Sequence, residues 1–270
     1  MHIHFLDPYR PRVSLIHQLD PRVKLVLAIA FILTTSLVPF GAWPIYVLLF
    51  TIAISVVVAS ELGVKYVLKR AALAFPFVLA AVPLLFTVSG PALLVFPIGS
   101  ATFTLTANGL ERFISIALKS WISVQMAIVL AASTSFPDLM IAMRAIKLPR
   151  LLVAVFGLMW RYLFVLADEV LRMTRARAAR SGTLRSDRPG LKSGGTFVWR
   201  AKVTGGMAGS LFVRSFERGD RIYAAMAARG YDGEVRSIPL PPLAVPARLV
   251  LIGGLLLLAA LLGLAILFWR

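Results

Sequence analysis

Residues 25–60 carry no charged side chain, and residues 71–110 carry none either. A bilayer crossing takes about 20 mostly apolar residues, because roughly 30 Å of hydrocarbon is covered at about 1.5 Å per residue. Each run is too long for one crossing, and neither belongs in a water-soluble domain. The composition agrees: 59% of the 270 residues are hydrophobic and 15% are charged, where soluble domains have about 45–50% and about 25%. The mean hydropathy is +0.84. The expectation is an all-α integral membrane protein with about five transmembrane helices.

Pro39, Gly41 and Pro44 divide the first run into spans at 23–38 and 43–60, joined as a tight hairpin. The stretch 61–70 sets Lys65, Lys69 and Arg70 against Glu61, so this loop is assigned to the cytoplasm. The second run contains Pro76, Pro83, Pro91 and Pro97. It reads as a third span at 71–88 and then an outside loop at 89–109 able to dip into the bilayer. A fourth span follows at 112–132 with Lys119 inside it, and 249–269 is a charge-free terminal span. Asp7, Pro8, Arg10, Pro11, Arg12 and Asp20 interrupt the first 20 residues, so no cleavable signal peptide is expected. The amino terminus is assigned to the cytoplasm and, with five spans, the carboxyl terminus to the outside.

Residues 136–236 differ from everything around them, with 18 basic residues against eight acids. Such charge belongs on the cytoplasmic side. The stretch 151–167 is apolar enough to be scored as a span, but Arg161 sits in its middle, and crossing there would leave 14 basic residues outside. It is read as part of one long helix, 150–180, lying at the cytoplasmic face; a sixth span is the alternative. The organisation expected is a cytoplasmic amino-terminal segment at 1–22, a membrane module at 23–135, cytoplasmic helices at 136–236 and a terminal span at 245–270.

Few groups in this chain can carry chemistry. The only acid between Pro21 and Leu110 is Glu61, so spans one to three have no carboxylate to relay protons or bind ions. The glycines at 194, 195, 205, 206 and 209 form no phosphate-binding loop. Histidine occurs only at positions 2, 4 and 17, and cysteine is absent. A Ser–His–Asp arrangement, a thiolate metal site and an iron–sulfur cluster are therefore excluded. His2, His4 and His17 as a metal site is weighed against a tail plus one polar residue opening the first span, and the second reading is preferred. No cofactor and no catalysis are expected. The net charge of +17 is read as a topogenic signal rather than as nucleic-acid binding. Lys119 is expected to snorkel, or to pair with Glu111 or another helix. Gly205 and Gly209 would permit close helix packing.

A near-duplication stands out within the basic segment. Arg172 to Arg180 and Arg221 to Arg229 share one pattern, an arginine, five residues of any type, two alanines and an arginine. Gly182 follows the first copy by two positions and Gly230 follows the second directly, and glycine closes helices. An arginine in the last turn is favoured by the helix dipole and stands out from the tip. Two readings remain open: basic helix ends facing phospholipid headgroups, or two equivalent plugs for two sockets on a soluble partner, where a guanidinium fork holds carboxylates or carbonyls. Glu217 and Arg221, spaced i,i+4, are expected to stiffen the second helix.

At these residues the chain resembles the transmembrane T component of energy-coupling factor transporters, over nearly its whole length. The likeness rests on His17-x-Leu19-Asp20-Pro21-Arg22-x-Lys24-Leu25, on Arg161-Tyr162 followed by Asp168-Glu169, and on the paired Ala-Arg motifs. Ala228-Arg229-Gly230 is intact, whereas Ala179-Arg180-Ser181 has serine where the family has glycine. The resemblance implies a scaffold in a prokaryotic cell membrane that joins two ABC-type ATPase subunits to a membrane-embedded substrate-binding S component, with membrane lipid around it and no nucleic acid. It implies ATPase-coupling roles for Ala179, Arg180, Ser181, Ala228, Arg229 and Gly230, and a further coupling stretch around 136–149. The residues from Arg214 to Gly233 look most like the cobalt or nickel branch. The alternatives are a T component serving a vitamin such as biotin or several S components, and, in another class, a non-transport membrane scaffold or receptor-like protein. Copurification with ATPases separates those classes.

Overall fold

The computed structural model describes residues 8–98, 101–180, 196–232 and 242–269. Within them the chain forms two compact units, one holding 8–146 with 242–269 and the other 147–232.

The first unit is a helical bundle. Ser14 opens the short α1 (Leu15–Gln18), its Oγ accepting from the His17 backbone N–H at 3.3 Å. Asp20 opens α2 (Pro21–Leu37) in the same way, Oδ1 accepting from the Arg22 N–H at 2.9 Å, with Pro21 in the first turn, where its missing N–H costs nothing. A turn through Gly41 leads into α3 (Trp43–Ala59). Gly41 takes φ +81°, a backbone conformation that favours glycine; the Glu111 carboxylate lies where its Cβ would be, but as the end of a flexible side chain it can move aside.

The third apolar segment is broken. It runs as α4 (Val64–Ala71), a 3-10 turn (Ala72–Ala74), α5 (Phe75–Ala80) and α6 (Leu84–Thr87). Pro76 and Pro83 supply no N–H, and around Pro83 the amides of Ala81, Val82, Leu84, Leu85 and Phe86 bond three residues back instead of four. The loop expected at 61–70 is thus mostly helix, because Lys65, Lys69 and Arg70 lie on an amphipathic turn rather than in irregular chain. The outside loop expected at 89–109 holds an antiparallel hairpin, β1 (Ala92–Ile98) and β2 (Ala101–Thr106). Thr106 then caps α7 (Ala107–Ser133), accepting from Gly109 N–H at 3.1 Å and donating to Val88 O at 2.7 Å.

Helix α8 (Phe136–Ala145) packs on α2 and belongs to this unit, as does α11 (Val245–Trp269), also on α2. The core lies between α2, α3, α7 and α11, where Phe31, Tyr46, Leu49, Ile122 and Leu258 interdigitate and Ala28, Ala53 and Ala265 let the backbones approach. Tyr46 donates its hydroxyl to Pro39 O at 2.6 Å, which satisfies the one polar atom of a buried ring.

The second unit holds α9 (Arg150–Arg180) and α10 (Phe197–Ala228). Among the described residues four segments are long and apolar enough to cross a bilayer: Val64–Thr87, Ala107–Ser133, Leu151–Arg180 and Val245–Trp269; Trp43–Ala59 is apolar and shorter. The chain is an all-α integral membrane protein apart from the one hairpin.

Candidate coupling helices

Helices α9 and α10 run antiparallel where they touch. Arg214 Nη1 donates to Glu169 Oε1 at 2.8 Å, and Arg177 Nη1 donates to Thr204 Oγ1 at 3.2 Å. As the residue number rises along α9, that of its partner falls along α10. The Arg177 guanidinium also lies 5.9 Å from the centre of the Trp199 ring. Between the helices is an open cleft of about 670 Å³ lined by Arg172, Arg177, Arg180 and Arg214, with Glu169 as its acid.

The two Ala-Arg motifs fall at the two helix ends. Ala179 and Arg180 are the last residues of α9, both exposed. Ser181 and Gly182 lie outside the described residues. On α10, Ala228 is the last helical residue and Arg229 the cap, with φ −92°. Gly230 adopts φ +78°, its N–H bonds to Ala227 O at 3.0 Å, and Tyr231 N–H bonds to Met226 O at 3.0 Å. These two bonds make a Schellman ending, which satisfies carbonyls the helix would otherwise leave open. An added Cβ at Gly230 would meet nothing within 4 Å. The requirement for glycine is therefore one of backbone conformation, and its effect is to stop the helix with Arg229 at the tip.

The distance between the tips follows from the antiparallel contact. Arg180 is one turn past the Arg177–Thr204 contact, whereas from Thr204 to Arg229 the chain continues for about 37 Å of helix at about 1.5 Å per residue. The arginines thus stand at opposite ends of the pair.

Other expectations resolve differently. Glu217 and Arg221 form no ion pair; Arg214 on α10 instead pairs with Glu169 on the other helix. Gly205 and Gly209 have open space where a Cβ would stand, so no close packing uses them among the described residues. Lys119 pairs with no carboxylate: Nζ donates to Ser36 O at 3.1 Å and to Val38 O, and lies 4.6 Å from the Phe40 ring centre. His17 has both ring nitrogens engaged, Nε2 donating to Arg10 O at 3.0 Å and Nδ1 accepting from the Ser14 hydroxyl at 2.7 Å. His2 and His4 lie outside the described residues. Among those residues no three His, Cys, Asp or Glu side chains gather as a metal site. Lys24, quoted above as part of a motif, makes a contact that the sequence did not predict: Nζ donates to His17 O at 3.3 Å and Ser133 O at 3.1 Å.

Comparison with known proteins bears on the whole chain. The family CbiQ, described as cobalt transport protein, matches residues 12–239. A cobalt transport protein CbiQ of Rhodobacter capsulatus is 29% identical over 211 residues, 78% of this chain and 81% of its own. An energy-coupling factor transporter transmembrane protein EcfT of Ruminiclostridium cellulolyticum is 27% identical over 237 residues, 84% of both chains. A fused cobalt transport protein CbiMQ of Methanocorpusculum labreanum is 26% identical over 257 residues, 90% of this chain and 40% of its own. With its apolar helices and a family match across most of its length, this chain belongs to the CbiQ family, the transmembrane T components of energy-coupling factor transporters, and is a multi-pass cell membrane protein.

Proposed function

We propose that this T component is the mechanical link of an ATP-driven uptake system for cobalt or nickel, joining two ABC-type ATPases to a membrane-embedded S component. The observation that carries the reading is the pair of Ala-Arg helix ends on α9 and α10, facing opposite ways and tens of ångströms apart. Two separate sockets on a soluble ATPase pair suit two separate plugs, and a headgroup-facing surface would not call for a matched pair. Ala179 and Arg180 form the first plug with Ser181 beside them; Ala228, Arg229 and Gly230 form the second. The alanines keep each shaft slim, and the guanidinium supplies a fixed fork of donors for carbonyls or carboxylates.

The S component is assigned to apolar surface. Phe212, Val213 and Phe216 on α10 are more than half exposed, a poor arrangement in water and a good one against a membrane partner. The CbiMQ relative, in which a chain like this one is fused to further sequence, supports a partner held close. The metal cargo rests on the family's description and on the CbiQ relative.

In this reading α9 and α10 lie on the cytoplasmic side, although α9 is long enough to cross. Crossing there would carry to the outside the 14 basic residues counted above from position 172 to 236. The chain hydrolyses no nucleotide itself, having no phosphate-binding loop. The test is copurification of the ATPases with the unaltered chain, Arg180→Ala, Arg229→Ala and the double variant, alongside metal uptake by the complete complex. Each single change lowers capture and uptake, and the double variant abolishes both. Normal assembly and uptake in the double variant would falsify the reading.

A further inference from the structure

Beneath α1 the bundle contains an apolar cavity of about 310 Å³, bounded by α2, α3, α7 and α11. Its walls are side chains such as Leu27, Phe31, Ile52, Met126 and Leu130, and it opens past Val250 and Leu257, which are 45% and 51% exposed on α11. Two polar side chains line it, Lys24 and Ser133.

Both are buried, at 8% and 2% exposure. An ammonium has three donors, and Lys24 gives two to the carbonyls of His17 and Ser133. Among the described residues no carboxylate stands within ion-pair distance of it. The Ser133 hydroxyl has no hydrogen-bond partner. Asp138 and Asp20 act on Lys24 only from beyond ion-pair distance; a buried ammonium with no direct ion pair and a buried hydroxyl without a partner are both costly, and each is relieved by an acceptor placed between them. Water suits the site poorly, because most of the cavity is hydrocarbon and an apolar cavity of this kind stays dry. The occupant that fits is itself divided, with an anionic oxygen at one end and hydrocarbon behind it, and it reaches the site through an opening framed by apolar residues.

We propose that this cavity holds one acyl chain of an acidic phospholipid from the surrounding bilayer, with a headgroup oxygen accepting from Lys24 Nζ and Ser133 Oγ. The bound lipid covers the junction of α1, α2 and α7 and supplies the direct anionic contact that Asp138 and Asp20 do not reach. This role is separate from ATPase coupling and involves neither α9 nor α10.

The test uses the purified, delipidated full chain and two photoreactive probes, a phosphatidylglycerol and a phosphatidylcholine, each carrying a diazirine in the same acyl chain. Adducts mapped by mass spectrometry should fall on the walls of α2 and α7, with the acidic lipid labelling several-fold better at equal concentration, because phosphatidylcholine offers the same phosphate oxygens but brings a choline cation toward the Lys24 ammonium. Lys24→Gln should erase the headgroup preference. Ser133→Ala, which leaves the helix contacts in place, should reduce labelling several-fold and answers the question even if Lys24→Gln does not fold. Val56→Trp, which fills the cavity, should abolish wall labelling by both lipids. Equal labelling by the two lipids in the unaltered chain, adducts spread over the outer helix faces, or undiminished labelling in Val56→Trp would each overturn the proposal.

Discussion

Lys24 and Lys119 make the same contact at opposite ends of one helix pair. Lys24, near the start of α2, donates to Ser133 O at the end of α7, and Lys119, on α7, donates to Ser36 O and Val38 O at the end of α2. Each helix thus places a cation on the open carbonyls of the other, where the helix dipole favours positive charge. The pairing fixes both the antiparallel direction and the axial register of α2 against α7. Stem methylenes pack on the bundle while each ammonium reaches backbone carbonyls.

Replacing either lysine by methionine keeps the stem and strands the carbonyls. Lys119→Met should lower the unfolding free energy in detergent by about 0.5–1.5 kcal/mol, since it leaves a part-buried acceptor at Val38 O and an exposed one at Ser36 O without their donor. Lys24→Met, which strands the buried Ser133 O, should cost about 1–3 kcal/mol, and because the contacts lie at opposite ends of α2 the losses should add. Thermal unfolding of the two single variants and the double variant checks this; strong non-additivity would mean the register is held elsewhere.

Gly230 sits at φ +78° with free space around it, so its substitutions report backbone strain alone. Gly230→Val should cost about 1–2 kcal/mol locally. The loss should appear as faster hydrogen exchange at the amides of Arg229, Gly230 and Tyr231, with weaker ATPase capture. Gly230→Asn, which tolerates that conformation, should lie between valine and the unaltered chain. Identical exchange in valine and asparagine variants would contradict the cap argument.

Lysine at position 180 or 229 keeps the charge but loses the planar fork. If the arginines fill sockets, alanine at either position should cost about 2–4 kcal/mol, roughly 30- to 700-fold in affinity for the ATPases. Lysine should recover only a minor part of it. Binding isotherms of the purified complex, taken at two salt concentrations, separate this from headgroup attraction, for which lysine would substitute freely and salt would weaken every variant alike.

Because the chain has no cysteine, single cysteines map its sidedness cleanly. Ala208→Cys on α10 should react with an impermeant thiol reagent only in inverted vesicles, and Ala92→Cys on the hairpin only in right-side-out cells. Labelling of Ala208→Cys from outside would mean that α9 crosses the membrane.

Where hydrophobic length and proline punctuation determine structure, the reading from residues alone agrees closely with the fold. The helix expected at 150–180 is α9 residue for residue, and the spans expected at 23–38 and 43–60 are α2 and α3 to within two residues. The hairpin β1–β2 was not legible, since a short apolar run between prolines has the same composition whether it forms strands or a loop. The same limit applies to charge. Lys65, Lys69 and Arg70 mark a loop or an amphipathic helix equally well, and only their packing decides. At the coupling helices the local signals, alanine, arginine and glycine at a helix end, were readable. The Glu169–Arg214 tie was not, because its partners are 45 residues apart and nothing in either neighbourhood names the other. The two lysines escaped notice as a pair for a related reason: their acceptors are backbone carbonyls, which every residue carries.

The broken segment from α4 to α6 differs mechanically from its neighbours. A 3-10 turn rises about 2.0 Å per residue and an α turn about 1.5 Å, so the turn at Ala81–Pro83 between α5 and α6 lengthens the segment by about 2 Å over regular α-helix. Fewer four-back hydrogen bonds hold this stretch than hold α2 or α7, so a mismatch between bundle and bilayer thickness is expected to be taken up there first.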